Sequence, residues 1–397
     1  MRQSSEQLSF ERLEDRMLLS TLVVNSLADN TTAGDGLVTL REAIHAANTL
    51  GTTDLGDSGS IGLDQIVFAS GLSGSILLTS GELDVIGDLL ITGNGRNDIV
   101  IDAQQNSRIF DVTGVDTDLT LDNLKLQNGR TTSDNNGGGA IRFTATGIGT
   151  LSVLNSTLLN NSTAGDSAHG GAIYSLTGDV SVSGSLLNGN WTEGQSSFGG
   201  AIASPTAGDI NVLNSTLSGN HVDGTSGSGG AIASPSLLGK TVIVGSTITG
   251  NEATTGGGIG MFALNLGKSL TIRNCIVAGN IADQHADFTA PGGLLSTLDV
   301  TNSLIGDNDG TTLSATLNGV FDSLGNLVGS TTGDGVIDPH LAPLADNGGP
   351  TLTHALLPGS LALDSGNNTS SNDAGMVHDQ RGAPFLRVYG AGVDMGS

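Results

Sequence analysis

Asp179 and Asp209 stand thirty residues apart, and Lys240 follows thirty-one later. In a chain that repeats at that interval, the three share one position in successive turns. Two carboxylates about 5 Å apart match the pair of a retaining glycosidase in separation, and the same pair suits a shared Ca2+ ion. The plainer reading is an exposed turn, with solvated acids offset by Lys240. A second acidic group, Asp334, Asp338, Asp346 and Asp364, lies in Gly- and Asn-rich sequence near the C-terminus. Loop carboxylates of this kind either ligate Ca2+ or cap turns. Asp379 and Arg381 in "DQRG" suggest a local ion pair or turn contact. His169, His221 and His285 fall at different phases of the interval and form no column. HExxH, GxSxG, a phosphate loop, paired CxxC and tandem GGxGxDxUx are all missing from the sequence.

The interval is visible along the middle of the 397-residue chain. The small residues Ser156, Ser185, Ser215, Ser246, Cys275 and Ser303 follow one another at spacings of 29, 30, 31, 29 and 28. Three positions before each lies Val153, Val182, Val212, Ile243, Ile272 or Val300. Two positions after lies Leu158, Leu187, Leu217, Ile248, Val277 or Ile305. Five after lies Asn161, Asn190, Asn220, Asn251, Asn280 or Asn308. Upstream, Gly-Gly-Ala-Ile or a close variant ends at Ile141, Ile173, Ile202, Ile232 and Ile259, and "GGAIASP" is written out in full at 199–205 and 229–235. A period near thirty, built of short alternating runs such as "DINVLNS" and Gly/Asn/Ser turns, specifies a solenoid of strands. Parallel β-helix coils fit this pattern better than leucine-rich repeats, which have another Leu spacing and a helix in each unit. Stacking at about 4.8 Å would turn equivalent aliphatics into internal columns, each side chain worth roughly 1.5–3 kcal/mol when buried. The asparagines are expected at a bend on the rim, bonding along the axis in left-handed backbone. Gly-Gly marks another corner.

Composition agrees. Gly numbers 61, aromatics are 3% and charged residues 13%. That is too much Gly for helices and too little charge for a disordered chain. Like charges stacked one coil apart repel, so mostly neutral columns are expected. The net charge of −25 opposes nucleic-acid binding. A lyase or hydrolase of acidic sugars needs cations near its acids, and no Lys or Arg occurs between Arg142 and Lys240. One cysteine, Cys275, excludes an internal disulfide framework. No apolar run approaches the ~18 residues of a membrane span.

The ends differ from the middle. "RMLLSTLVV" is a poor signal peptide because acids precede it, and Leu22–Val24 suits a first strand. "VTLREAIHAANTL" (Val38–Leu50) predicts an amphipathic helix, with Thr39 and Glu42 as capping box and Leu40, Ala43, Ile44 and Ala47 on one face. Placed at the open end of the stack, it would cover an exposed edge.

Several stretches resemble known families. "FERLEDRMLLS" (Phe10–Ser20) is similar to the LEPR-XLL motif, with Asp15 in place of its proline. Val23–Asn48 resembles the CSLREA domain through Leu40–Ile44, with Val38 and Thr39 replacing Cys-Ser. Asp338–Asn368 with Asp379–Ser397 resembles the choice-of-anchor Q domain. The GGAI and Leu-x-x-Asn pieces resemble polymorphic outer-membrane protein repeats, with an aliphatic where Phe is usual. These resemblances imply a right-handed, single-stranded parallel β-helix of pectin-lyase-like type, exported to the medium or cell surface. They imply an export segment at 1–20, a cap at 21–60, coils at 61–335 and a distinct region at 336–397. The function expected is a non-enzymatic, adhesin-like or structural role toward extracellular polysaccharide or cell-surface components. The alternative is a polysaccharide lyase, glycoside hydrolase or epimerase on the same scaffold. Ser/Thr/Gly/Asp loops such as "TAGDSAHGG" would line one flank as a binding face, although they offer no rings for sugar stacking.

Overall fold

The computed structural model describes residues 19–95, 98–234, 239–261, 269–290, 296–317, 319–332 and 334–397. The export-segment reading of 1–20 lies almost wholly outside the described residues. So does Pro235, the last residue of the second "GGAIASP".

The chain winds into an all-β parallel solenoid of about 8 turns with almost no helix. Each central turn visits four sheets in order. Sheet I has ten strands, from Ser20–Val24 to Thr297–Thr301, and sheet II has ten, from Gly74–Leu77 to Leu327–Val328. Sheet III has six, from Arg130–Thr131 to Ile281–Gln284, and sheet IV seven, from Leu83–Val85 to Ile259–Met261. All of their ladders are parallel.

The columns expected from the spacing are the registers observed. In sheet I, Val153, Val182, Val212, Ile243, Ile272 and Val300 pair in sequence. Leu158 through Ile305 do the same in sheet II, and Ile141 through Ile259 in sheet IV. All are buried in one continuous core. This is the hydrophobic term that offsets chain entropy in a fold whose coils cannot stand alone.

Gly-Gly performs two separate tasks at its corner. The first glycine, for example Gly170 or Gly199, has a positive φ that other residues rarely adopt. The second, Gly171 or Gly200, has no space, because a Cβ there would strike the carbonyl of Gly200 or Gly230 in the next coil.

The asparagine file departs from expectation. It is buried inside the solenoid rather than set on a rim. Asn161 Nδ2 donates to Asn190 Oδ1 at 3.0 Å, and Asn190 to Asn220, Asn220 to Asn251 and Asn251 to Asn280 at 2.9 Å each. Each Oδ1 also accepts a backbone N–H of the preceding coil. Left-handed backbone belongs to the residue just before: Asn160, Gly189, Gly219, Gly250 and Gly279. Burying a carboxamide is costly unless every donor and acceptor is paired, and stacking identical amides pairs them. The file does not end on Asn308, which bonds Leu313 instead. It ends on the buried carboxylate of Asp287, which accepts from Asn280 and from the Asp307 N–H. A parallel serine file runs beside it, each hydroxyl accepting the N–H of the preceding coil. Cys275 occupies a step of this file; fully buried, it donates to carbonyls, and desolvation pushes its thiol up to about 11.

A helix covers the N-terminal end of the column. Helix Leu40–Thr49 begins with the Thr39/Glu42 capping box, both bonds present, and ends at Leu50 in left-handed conformation. Leu40, Ala43, Ile44 and Ala46 enter the main core, while Ala47 is only partly buried. The region beyond Ile337 does not continue the stack. It lies along the outer face of sheet II, where Ile276, Leu304 and Leu327 meet Ala362 and Met395. Gln380 accepts from Thr216 and donates to the Ser185 carbonyl, and Thr351 donates to that of Gly184. Among the described residues, no helix is long and apolar enough to cross a membrane.

Candidate functional site

Asp179 and Asp209 do stack, one coil apart at the head of their sheet I strands, with Lys240 next. Their carboxylates face along the stack. Asp179 Oδ1 accepts the backbone N–H of Asp209 at 2.7 Å, and Asp209 Oδ1 that of Lys240 at 2.8 Å. The same bond recurs earlier, from Asp118 N–H to Asp88 and from Thr150 N–H to Asp118. It recurs in the loops between sheets III and IV, where Asp134 and Asp166 each accept from the coil after. Like charges therefore do repeat at one coil position, because each carboxylate is held by an N–H that would otherwise lie unpaired at a strand start. The depression beside Asp179 and Asp209 measures about 300 Å3 and is walled mainly by glycines 147, 149, 178, 208 and 239. Among the described residues, no basic side chain lines it.

The four C-terminal aspartates are not brought together. Asp334 and Asp338 line a depression with His340, and Asp338 Oδ1 accepts the His340 N–H. Asp346 caps its own turn through the Gly348 N–H, and Asp364 accepts from Gly392. His169, His221 and His285 lie apart. Burial lowers the His169 imidazole to about 4, and its ring stacks on Phe198 with centroids 4.9 Å apart.

Among the described residues, the carboxylates that do converge are Glu82, Asp84 and Asp111 on the outside of sheet IV. Two arginines occupy them. Arg108, almost fully buried, pairs with Glu82 at 2.7 Å and donates to the carbonyls of Gly137 and Gly138. Arg142 grips Asp111 with two nitrogens and shares Asn136 Oδ1 with Arg108. Burial lowers the Arg108 pKa, while the Asp111 bonds raise that of Arg142. The arrangement clasps adjacent coils. Sequence reasoning missed it, although the pairing of Asp84, Asp111 and Arg142 at one register position was available in principle.

A further feature missed by sequence is the outer face of sheet III. Trp191, the sole tryptophan, stacks on His221 with centroids 5.8 Å apart and planes 5° apart. Its indole N–H donates to Glu193, which also takes Arg130 from two coils away. These rings cover each other and stiffen the face.

A recess of about 650 Å3 lies in the C-terminal region, where that region packs on sheet II through Met395 and Ser397. Tyr389 stands on its edge, 83% exposed. Arg381 lies with its guanidinium 3.9 Å from the Phe385 ring centroid and is held by Asp379. Arg387 is 5% exposed and donates to the carbonyls of Asp394 and Gly396. Asp364 and Asp394 also line it, with Asn347, Thr353, His354 and Ser397, and the Asp364 N–H donates to Asp394 Oδ1 at 2.7 Å.

Comparison of the chain with protein-family models, with curated proteins and with solved structures finds no match. The resemblances to LEPR-XLL, CSLREA and choice-of-anchor Q sequences thus rest on the residues quoted for them.

Proposed function

We propose that this chain is a non-catalytic β-helix protein, secreted or displayed at a cell surface, that acts as a scaffold binding extracellular polysaccharide or cell-surface components. The observation that carries the reading is the fate of the Asp179 and Asp209 carboxylates. Each accepts a backbone N–H of the next coil, as their counterparts do along the same column, and among the described residues no cation lines the depression beside them. A general acid needs a proton shared with substrate, and a nucleophile needs an approach to it; recurrence of the same Oδ1 bond along the column, with no cation among the described residues lining the depression, supports a building role over either. A Ca2+ ion at Asp334, Asp338, Asp346 and Asp364 gains no support from their dispersal. The CSLREA-like and choice-of-anchor Q-like stretches support export.

Incubation of the full chain with neutral and uronic polysaccharides, assayed for retention and for new reducing ends or unsaturated uronides, tests this. Retention without product is the expected result. Product that vanishes in Asp179→Asn and Asp209→Asn would instead establish the lyase or hydrolase reading. Cell fractionation of the native protein checks the placement, with recovery in the medium or at the surface expected.

A further inference from the structure

The C-terminal recess has the ingredients of a small-molecule site that the repeats lack: depth, an open ring and polar atoms arriving from different segments. Its polar atoms are only partly used. Asp364 spends Oδ1 on the Gly392 N–H and Asp394 spends Oδ1 on the Asp364 N–H. Arg381 turns Nε and Nη2 toward Asp379. Among the described residues, that leaves Asp364 Oδ2, Asp394 Oδ2 and Arg381 Nη1 for a ligand. Tyr389, unlike Trp191, makes no ring stack with another aromatic among the described residues, and Leu386 beside it is 53% exposed. The Arg381–Phe385 stack and the Asp379 pair fix the guanidinium before anything binds, which lowers the ordering cost of binding.

From this geometry we infer that the recess lined by Tyr389, Arg381, Asp364 and Asp394 binds a neutral saccharide. A pyranose has an apolar C–H face that an exposed ring can cover, and vicinal hydroxyls that donate to carboxylates and accept from a guanidinium. The charge balance selects for neutrality. Three lining aspartates face two arginines on a chain of net charge −25, so a uronate would be repelled. A volume near 650 Å3 holds one or two rings, which suits a chain end or branch rather than a long groove-bound polymer. The inference rests on the binding role proposed above and gives it a location and a ligand class.

The test is calorimetric titration of the full chain with hexasaccharides of glucose, mannose, galactose and N-acetylglucosamine, and with hexagalacturonate as the acidic probe. Binding of at least one neutral probe is expected, with none for hexagalacturonate. Tyr389→Ala should weaken that binding about tenfold or more, while Tyr389→Phe stays within about threefold. Trp191→Ala should leave it unchanged. Because the Tyr389 ring is so exposed, the melting temperature of Tyr389→Ala should match the wild type, so lost affinity would not reflect lost fold. Neutral binding that survives Tyr389→Ala would overturn the location while leaving the binding role intact. Preference for hexagalacturonate would overturn the ligand class. Failure to bind any probe, by a protein that still adheres to intact cells, would overturn the saccharide site alone and point to a protein partner on the same apolar rim; failure of both would remove the binding role as well.

Discussion

Two sets of aspartates in one chain meet opposite fates. Along sheet I, Asp88, Asp118, Asp179 and Asp209 each reach forward by one coil and hold a backbone N–H. In the C-terminal region, Asp364, Asp379 and Asp394 come from separate loops and surround a shared volume. The difference lies in periodicity. A repeat places equal residues one above another, so each meets only its copy and the next coil's backbone; such an array stabilises itself but does not converge. A recess lined from several directions is built here by chain that breaks the period and lies against the outer face of sheet II.

The contrast can be broken at its strongest point first. Val212→Asp should remove about 4 kcal/mol or more, because a charge would replace a fully buried aliphatic in the core. Chemical denaturation measures it, and an unaltered midpoint would refute the inward column. Gln380→Ala should cost about 1–3 kcal/mol, by cutting the bonds to Thr216 and Ser185 that hold the C-terminal region on sheet II. Its sign is selective: limited proteolysis should release the region beyond Ile337 while the coils remain resistant.

The end of the asparagine file offers a pH effect on the solenoid alone. Burial raises the Asp287 carboxyl from 3.8 to about 7, the Asn280 and Asp307 N–H bonds only partly opposing this. The folded chain therefore takes up this proton before the unfolded chain does. The Asp287 contribution to stability grows as pH falls from about 8 through 7 and is complete below the unfolded value. His169, neutral when buried with a folded value near 4, works in the other direction below its ordinary 6.5. Melting of wild type and Asp287→Asn at each pH isolates the carboxylate: the wild type should gain on the variant between pH 8 and 5. A constant difference would contradict the assignment. The smallest effect belongs to Asp209→Asn. Its Oδ1 can still accept from Lys240, so stability should change by no more than about 0.5 kcal/mol, and saccharide retention should not change at all.

Much of the solenoid was legible in the sequence because stacking turns sequence interval into spatial neighbourhood. Val182, Val212 and Ile243 could be placed over one another from spacing alone, and Thr39 and Glu42 announced the helix that covers the first coil. The spacing identifies the asparagine file, but asparagine's tolerance of turns places it at a bend on the rim, whereas mutual pairing suits a carboxamide file to the interior. The Asp179–Asp209 stack was also foreseen, but not the direction of its oxygens, since composition says nothing about which donor lies nearest.

The sequence by itself determined the repeat, its inward aliphatics and the glycines that turn each corner, since those follow from local sterics and a constant interval. Only the tertiary structure decided that Asp287 ends the asparagine file in place of Asn308, that Arg108 and Arg142 fill the Glu82–Asp111 cluster, and that Tyr389, Arg381 and Asp364 share one recess. Asp84, Asp111 and Arg142 do share a register position, but Glu82, Arg108, Asp287 and the recess residues share no common period, so their proximity is set by packing and not by the interval.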